Sequence, residues 1–383
     1  MFSFVFVVNV EAQAAVFDVV RYGAVADGKT DNTKAFSEAW NQACQTRGST
    51  MVLIPKGTYL LNPIIFEGPC KGRTGFSIQG TLKASTDKQY FGLGYWINFR
   101  YVNDLAIDGR GSLDGQGPSA WPYNSCSKAS SCRVLPTSLK LDFITNSIVN
   151  GITLIDSKQV QINLFACQGL KISNVKIQAP ADSPNTDGIH MGKSIDIEIF
   201  NSEISTGDDC ISLSPGSRNI NVHNVLCGPG HGISVGSLGK GPDEDDVEAL
   251  AVRNSTFVGT ENGVRVKTWA TNYPSNVRNL TYDQIHMVNV RNPIIIDQKY
   301  CLTGNCKQGS SSSQVQIRDV KFRNIWGDST SEVAVDLECS QSRPCQGIEL
   351  NNIDLVYNKG PARSYCSNAG GVALGRQTPP SCL

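Results

Sequence analysis

A short pattern of apolar and polar residues recurs along the chain from about residue 100. Each copy alternates apolar and polar positions, reaches an Asn or Asp, and continues with an apolar residue. The Asn or Asp positions are spaced between 23 and 36 residues apart, at Asn150, Asn174, Asn201, Asn224, Asn254, Asp283, Asp319 and Asn352. Recurrence at this spacing is typical of a solenoid, in which each repeat stacks on the next.

The alternation, with its many β-branched residues, predicts strands. Leucine-rich repeats need several leucines per unit, whereas these units are rich in Ile and Val. A propeller needs four strands per unit, or about 40 residues and more. The pattern therefore favours an all-β fold, a single-stranded right-handed parallel β-helix. Its turns would bury the inward aliphatic residues, while the Asn side chains stack at a bend and satisfy backbone groups there.

The open end of a solenoid exposes strand edges that must be covered. Residues Asp31 to Cys44 carry an apolar stripe at helical spacing, formed by Phe36, Ala39, Trp40, Ala43 and Cys44. Asp31 is a plausible N-cap residue for this segment. We therefore expect a short capping helix at the N-terminal end, held by a disulfide between Cys44 and Cys70.

The charge balance and the length of the chain limit the number of domains and the classes of partner. The chain of 383 residues holds 34 basic and 34 acidic residues and has no long Pro-rich or Gly/Ser-rich linker. We expect one monomeric catalytic domain over residues 15–383, with no nucleic-acid or membrane partner, so that any preference for an anion must come from a local cluster. Residues 1–14 combine a short apolar run with a small-residue cleavage site, which favours a secretory signal over an N-terminal strand.

Thirteen cysteines point to an oxidising compartment. Zinc is the alternative, but no paired C-x-x-C or Cys/His ligand spacing occurs. Cys210 and Cys227 lie between an acidic cluster and a histidine cluster, Cys167 is predicted to be a buried free thiol, and sequons at Asn254 and Asn279 fit secretion. The close pairs are Cys126 with Cys132, Cys301 with Cys306, Cys339 with Cys345, and Cys366 with Cys382.

Two acidic clusters could carry chemistry. In Asn185-Thr186-Asp187 the first and third side chains share a face if the segment is extended, although Asp187-Gly188 equally indicates a turn. Asp208 and Asp209 are adjacent, and crowding would raise the pKa of one carboxyl group so that it stays protonated, as a general acid must. An Asx turn or a calcium site is the alternative for this pair.

The other two clusters supply an imidazole and two cations. His231 lies between Gly230 and Gly232, which lets it approach a ligand, although such a residue also suits an ordinary loop. Arg265 and Lys267 share one face of a strand, and two such cations are costly without an anion. A carboxylated substrate is one partner for them, and a solvated strand face is the alternative.

Taken together, the clusters lie near one repeat apart. Asp187 precedes Asp208 by 21 residues, Asp208 precedes His231 by 23, and His231 precedes Lys267 by 36. Stacked strands are about 4.8 Å apart, so four turns would place these groups within reach of one or two sugar rings. The spacing predicts a site for cleaving a glycosidic bond in an acidic polysaccharide.

The clusters N-T-D, G-D-D, G-H-G and R-x-K, as a group, closely resemble those of the polygalacturonases, the pectin-cleaving glycoside hydrolases. The resemblance begins at Phe17-Asp18-Val19, extends to the C-terminal cysteines, and is closest to the plant members, including pollen exopolygalacturonases. The resemblance implies a right-handed parallel β-helix and a secreted, cell-wall enzyme that hydrolyses α-1,4 bonds of polygalacturonate with inversion, without a metal or organic cofactor.

The resemblance also implies a role for each matching residue. Asp208 would be the general acid, Asp187 and Asp209 would activate and position water, and His231 would tune the protonation of the acid. Asn185 would contact the sugar. Arg265 and Lys267 would bind the substrate carboxylate, and Tyr300 would bind substrate unless it is only a packing aromatic residue.

Several alternatives stay open at the level of sequence. A pectate lyase on the same fold would need calcium and a basic residue, and a pectin-binding wall protein would need no acid. Cleavage could be terminal or internal, with exo action favoured if loops such as Gln116 to Arg133 block the groove. Inverting enzymes separate their carboxyl groups by about 6.5–9.5 Å, more than one coil spacing, so inversion depends on the resemblance.

Overall fold

The computed structural model describes residues 14–124, 134–301 and 312–383. Within them the chain winds as a right-handed parallel β-helix of two sheets, as the sequence predicts. No helix among the described residues is long and apolar enough to cross a membrane. The predicted pair Cys126–Cys132, the Cys306 partner of Cys301, and most of the predicted signal (residues 1–13) lie outside the described residues.

The first sheet has 19 strands in the described part of the chain. They are β1 (Ala15–Asp18), β2 (Asp27–Asp31), β3 (Thr50–Ile54), β4 (Thr58–Leu61), β6 (Thr74–Ile78), β7 (Thr81–Ala84), β9 (Leu105–Gly109), β10 (Ser112–Asp114), β12 (Thr145–Asn150), β13 (Thr153–Ile155), β15 (Gln168–Ser173), β16 (Lys176–Gln178), β18 (Ile195–Ser205), β20 (Arg218–Cys227), β22 (Val247–Val258), β24 (Ser275–Val290), β26 (Val315–Ser329), β28 (Cys345–Tyr357) and β30 (Ala369–Thr378).

The second sheet has 11 strands in the same ranges, and each strand pairs in parallel with the strand of the next coil. They are β5 (Ile64–Glu67), β8 (Tyr95–Arg100), β11 (Thr137–Asp142), β14 (Ile162–Phe165), β17 (Ile189–Gly192), β19 (Ile211–Leu213), β21 (Ile233–Leu238), β23 (Asn262–Trp269), β25 (Asn292–Tyr300), β27 (Val333–Glu338) and β29 (Arg363–Ser367).

One bend of the coil is marked by the predicted column of asparagines. The strand register aligns Asn174, Asn201, Asn224, Asn254 and Asn352, all with φ between 45° and 55°. Asn tolerates this left-handed conformation better than most residues, which explains its recurrence. The amide of Asn224 donates to Oδ1 of Asn201 at 2.5 Å, so neighbouring side chains stack as predicted.

Three predicted members of this column are placed differently. Asn150 and Asp283 each come one residue before the column. Asp319 belongs to a different bend, and Asn324 takes the predicted position, donating to Oδ1 of Asp283 at 2.8 Å. The prediction for Asp319 was wrong because both bends carry the same apolar-x-Asn/Asp pattern, and spacing alone does not distinguish them.

A single helix, α1 (Thr33–Gln45), covers the N-terminal end of the described coils. Its predicted apolar stripe is buried, and the Trp40 indole donates to the Glu67 carbonyl at 3.1 Å. The N-cap is Asn32 rather than the predicted Asp31, because Asp31 ends β2. The Asp31 carboxylate nevertheless accepts from the first helical N–H, that of Thr33, at 3.0 Å.

The disulfides agree with the sequence where the structure describes them. The predicted bonds Cys44–Cys70, Cys339–Cys345 and Cys366–Cys382 are present. Cys210 is bonded to Cys227, a pairing that the sequence did not assign. Cys167 is free and buried, as predicted.

Candidate active site

Three acidic or basic residues occupy equivalent positions in three successive coils of the second sheet. The strand register aligns Asp187, Asp209 and His231, each two residues before its strand. The loops are stacked as well, since the backbone N–H of His231 donates to the Asp208 carbonyl at 2.7 Å. Coils about 4.8 Å apart therefore bring side chains that are distant in sequence onto one patch, as predicted.

The Asn185–Asp187 segment is not a strand, and Asn185 lies in a turn. Asn185 has a φ of 53°, in the left-handed region, so the extended alternative is wrong. The side-chain N–H of Asn185 donates to Oδ2 of Asp208 at 3.1 Å, and Oδ1 of Asn185 accepts from the side-chain amide of Asn124 at 3.1 Å. Asn185 thus helps to hold Asp208 in place, a contact that the sequence did not suggest.

Asp209 is buried between two cations. Its Oδ1 accepts from Ser234 at 2.7 Å and from Arg265 at 2.8 Å, and its Oδ2 accepts from Lys267 at 2.8 Å. Burial acts to raise the pKa of Asp209, but Lys267 and Arg265 outweigh it and hold that pKa well below its usual range. Asp209 is therefore a fixed anion.

Arg265 and Lys267 do not depend only on an external anion to balance their charge. Arg265 and Lys267 do share one face of β23, as predicted, but Asp209 of the same chain already neutralises part of their charge. The ammonium of Lys267 has three N–H donors, and one of them is taken by Asp209. Asp209 thus takes one of these donors and leaves two.

Asp208 and His231 form a second pair. Oδ1 of Asp208 lies 3.2 Å from Nδ1 of His231, and Nε2 of that ring lies 3.4 Å from Glu261. Burial acts to lower the pKa of His231, but the hydrogen bond and charge of Asp208, with the charge of Glu261, raise it above its ordinary value. These contacts favour an imidazolium held between two carboxylates.

Asp187 is the third carboxylate. Its Oδ2 accepts from the Ser212 hydroxyl at 2.8 Å, and no donor among the described residues reaches Oδ1. Burial, and then the charges of Asp208 and Asp209, raise the pKa of Asp187 well above its ordinary value. The sequence predicted a raised pKa within the Asp208–Asp209 pair. The cations instead lower the pKa of Asp209, and burial raises the pKa of Asp187.

Tyr300 stands beside the cations. It ends β25, and its ring centroid lies 5.4 Å from Nζ of Lys267 and 5.0 Å from the ring of Trp269. The aromatic ring therefore lies next to the cation pair. The predicted substrate-binding position and its alternative as a packing residue are both compatible with this placement.

Asp208, Asp209 and His231 also raise the question of a metal. Their ligand atoms all lie within 4.8 Å of one another. Both oxygens of Asp209 already accept from cationic side chains, and a divalent ion would have to lie next to Lys267 and Arg265. Because like charges repel, this cluster suits a hydrogen-bond network better than a metal.

Several site residues were missed at the level of sequence. His190, Ser212 and Ser234 each come three residues after Asp187, Asp209 and His231, respectively, and the register pairs them across successive coils. The same column continues to Arg265. A search for polar residues at this fixed offset would have found them, whereas Glu261 and Asn124 carry no comparable signal.

Comparison with known proteins identifies the family. Residues 44–377 match the model of the family described as "Glycosyl hydrolases family 28". The chain belongs to this family. It is 46% identical to an exopolygalacturonase of Oenothera organensis, over 92% of this chain and 98% of the relative. It is 43% identical to a polygalacturonase of Gossypium barbadense, over 97% and 92% of the two chains.

The fold is shared with solved structures. The endo-xylogalacturonan hydrolase of Aspergillus tubingensis superimposes with a TM-score of 0.82 over 95% of this chain and all (100%) of that chain, at 24% identity. At this identity the likeness supports the β-helix and not the substrate. The family assignment therefore depends on the sequence matches, and this chain is a glycoside hydrolase.

Proposed function

We propose that this protein hydrolyses α-1,4-glycosidic bonds between galacturonate units of pectin, with inversion and from the chain end. The observation that carries the proposal is the hydrogen-bonded Asp208–His231 pair beside the fixed anion Asp209 and its two cations. Relatives named polygalacturonase and exopolygalacturonase support the substrate class and exo action.

The proton for the leaving group lies between Asp208 and His231. When Asp208 carries this proton it is the general acid, and it protonates the glycosidic oxygen as the bond breaks. His231 can then return a proton across the 3.2 Å contact. Glu261 helps to keep the imidazole protonated for this step.

Asp187 suits the role of general base. Its Oδ1 is not engaged by any described donor and can accept a proton from the attacking water. The raised pKa of Asp187 strengthens it as a base, provided that the pH lies above that pKa. Asp209 remains charged throughout, and it positions water and stabilises the positive charge that develops on the sugar.

Asp208→Asn tests the acid assignment. It should abolish the release of reducing ends from polygalacturonate while leaving the binding of galacturonate oligomers within about twofold, because acid catalysis contributes about 10²–10⁴-fold. Asp319→Asn, an exposed carboxylate at a distant bend, is the matched control. Unchanged sugar release from Asp208→Asn would overturn the assignment.

Chromatography of early products tests the mode of cleavage. Exo action predicts galacturonate monomer from the first time points, and a ladder of oligomers would show endo action instead. We also propose that the protein is secreted to the cell wall and is a monomer. The disulfide Cys210–Cys227, close to Asp209, fits an oxidising compartment.

A further inference from the structure

A chain of hydrogen bonds leads away from Asp187 along the second sheet. The Ser212 hydroxyl lies 2.8 Å from Oδ2 of Asp187, and Nδ1 of His190 lies 2.7 Å from the same hydroxyl. Nε2 of His190 lies 3.2 Å from the Ser214 hydroxyl. Nδ1 of His190 is itself 4.0 Å from Asp187, too far for a direct hydrogen bond.

When Asp187 is ionised, the available protons determine which group donates in each of these hydrogen bonds. A carboxylate only accepts hydrogen bonds, so the Ser212 hydroxyl donates its single proton to Asp187. Ser212 must then accept from His190, which places the ring proton on Nδ1. When the ring is neutral, Nε2 accepts from the Ser214 hydroxyl. In the neutral ring, all three hydrogen bonds therefore point toward Asp187.

We propose that His190 is a positioning residue for hydrolysis, acting through Ser212 to fix the orientation and the ionised state of Asp187. This inference rests on the proposed function, in which Asp187 is the general base. The strand register supports it, because His190 pairs directly with Ser212 in the next coil, so the contact is built into the sheet.

The surroundings of His190 argue against a purely structural role. Its side chain is 31% exposed and lines a groove with Lys140, Phe165 and Lys193, so it does not fill the core. The charged groups that act on the His190 ring are Asp209, Lys267 and Asp208. Burial lowers the pKa of His190, which favours the neutral ring.

The test compares pH profiles of kcat/KM on polygalacturonate. Ser212 acts to lower the pKa of Asp187, so Ser212→Ala should move the ascending acid limb upward by about one pH unit. His190→Ala should move it in the same direction, with kcat reduced about tenfold and KM changed less than about twofold. His190→Asn keeps an N–H near the Nδ1 position and should recover most of the loss.

The matched control is His223→Asn, since His223 is 36% exposed, contacts Glu198 and lies on the first sheet. The acid limb of the kcat/KM profile of His223→Asn should stay at the same pH as in the wild type. The proposal is overturned if His190→Ala raises KM alone, if His190→Asn recovers nothing, or if the control shifts the limb equally.

A second measurement does not need catalysis. Nitrogen-15 NMR of the folded protein, at a pH where Asp187 is ionised, should show His190 as the neutral Nδ1–H tautomer. A neutral Nε2–H tautomer or a charged ring would contradict the proposal. Failure of the wild type to cleave polygalacturonate would refute the proposed function, while this spectrum still decides the role of His190.

Discussion

Replacing Lys267 with Met tests the charge balance around Asp209. The side chains of Asp209 and Lys267 are only 2% and 9% exposed, and Lys267 supplies the donor to Oδ2. Met keeps most of the volume and removes the charge. Asp209 would then be a buried anion with donors on Oδ1 alone, from Arg265 and Ser234.

Lys267→Met removes one partner of a buried ion pair and should therefore lower the free energy of unfolding. Breaking such a pair destabilises a protein by about 3–5 kcal/mol. Because Arg265 still compensates Asp209, we expect the lower end, about 3 kcal/mol in the free energy of unfolding. The double variant Lys267→Met/Asp209→Asn removes the uncompensated charge and should recover about 2 kcal/mol, without recovering activity.

Urea unfolding followed by circular dichroism measures this cost. The pKa of Asp209 is depressed in the folded state, so its stabilisation is present above its unfolded pKa of about 3.9 and is lost as the pH falls below it. The difference between wild type and Lys267→Met should therefore be full at pH 7 and shrink below about pH 4.

The matched control is Lys299→Met. Lys299 is 65% exposed and pairs with Glu338 at 3.4 Å, so its loss should cost no more than about 1 kcal/mol. Equal urea midpoints for Lys267→Met and wild type at pH 7 would refute the account of Asp209 as a buried, cation-compensated anion.

Two further predictions concern the histidine side of the site. Glu261→Gln removes one carboxylate that raises the pKa of His231; since the protonated ring is lost as the pH rises through that pKa, the alkaline limb of kcat/KM should move to lower pH, and an unmoved limb would exclude the contact. Cys210→Ala/Cys227→Ala opens a bond between residues 17 apart and should destabilise the protein by about 3 kcal/mol, read from the urea midpoint; an unchanged midpoint would show that the bond is not structural.

Much of the fold and of the site could be predicted from the sequence because a solenoid turns spacing into proximity. Asp187, Asp209 and His231 align in successive coils because each lies the same distance before its strand. The apolar stripe of α1 predicted the cap for a similar reason. Periodicity carries this information without any knowledge of side-chain contacts.

The charge states could not be predicted in the same way. Adjacent carboxylates at 208 and 209 suggested mutual repulsion, but their environments differ because Asp209 faces Lys267 and Arg265. Burial of Asp187, which raises its pKa, depends on how the coils pack. The wrong placement of Asp319 has a related cause, since two bends share one pattern and only the strand register separates them.

The central claim is that stacked coils align an acid, Asp208, and a base, Asp187, for hydrolysis with inversion. Proton NMR of a polygalacturonate digest, recorded before the released sugar equilibrates, tests it most directly. The account predicts that the β-anomer of the newly released reducing end appears first. Initial release of the α-anomer, or of an unsaturated sugar, would contradict it.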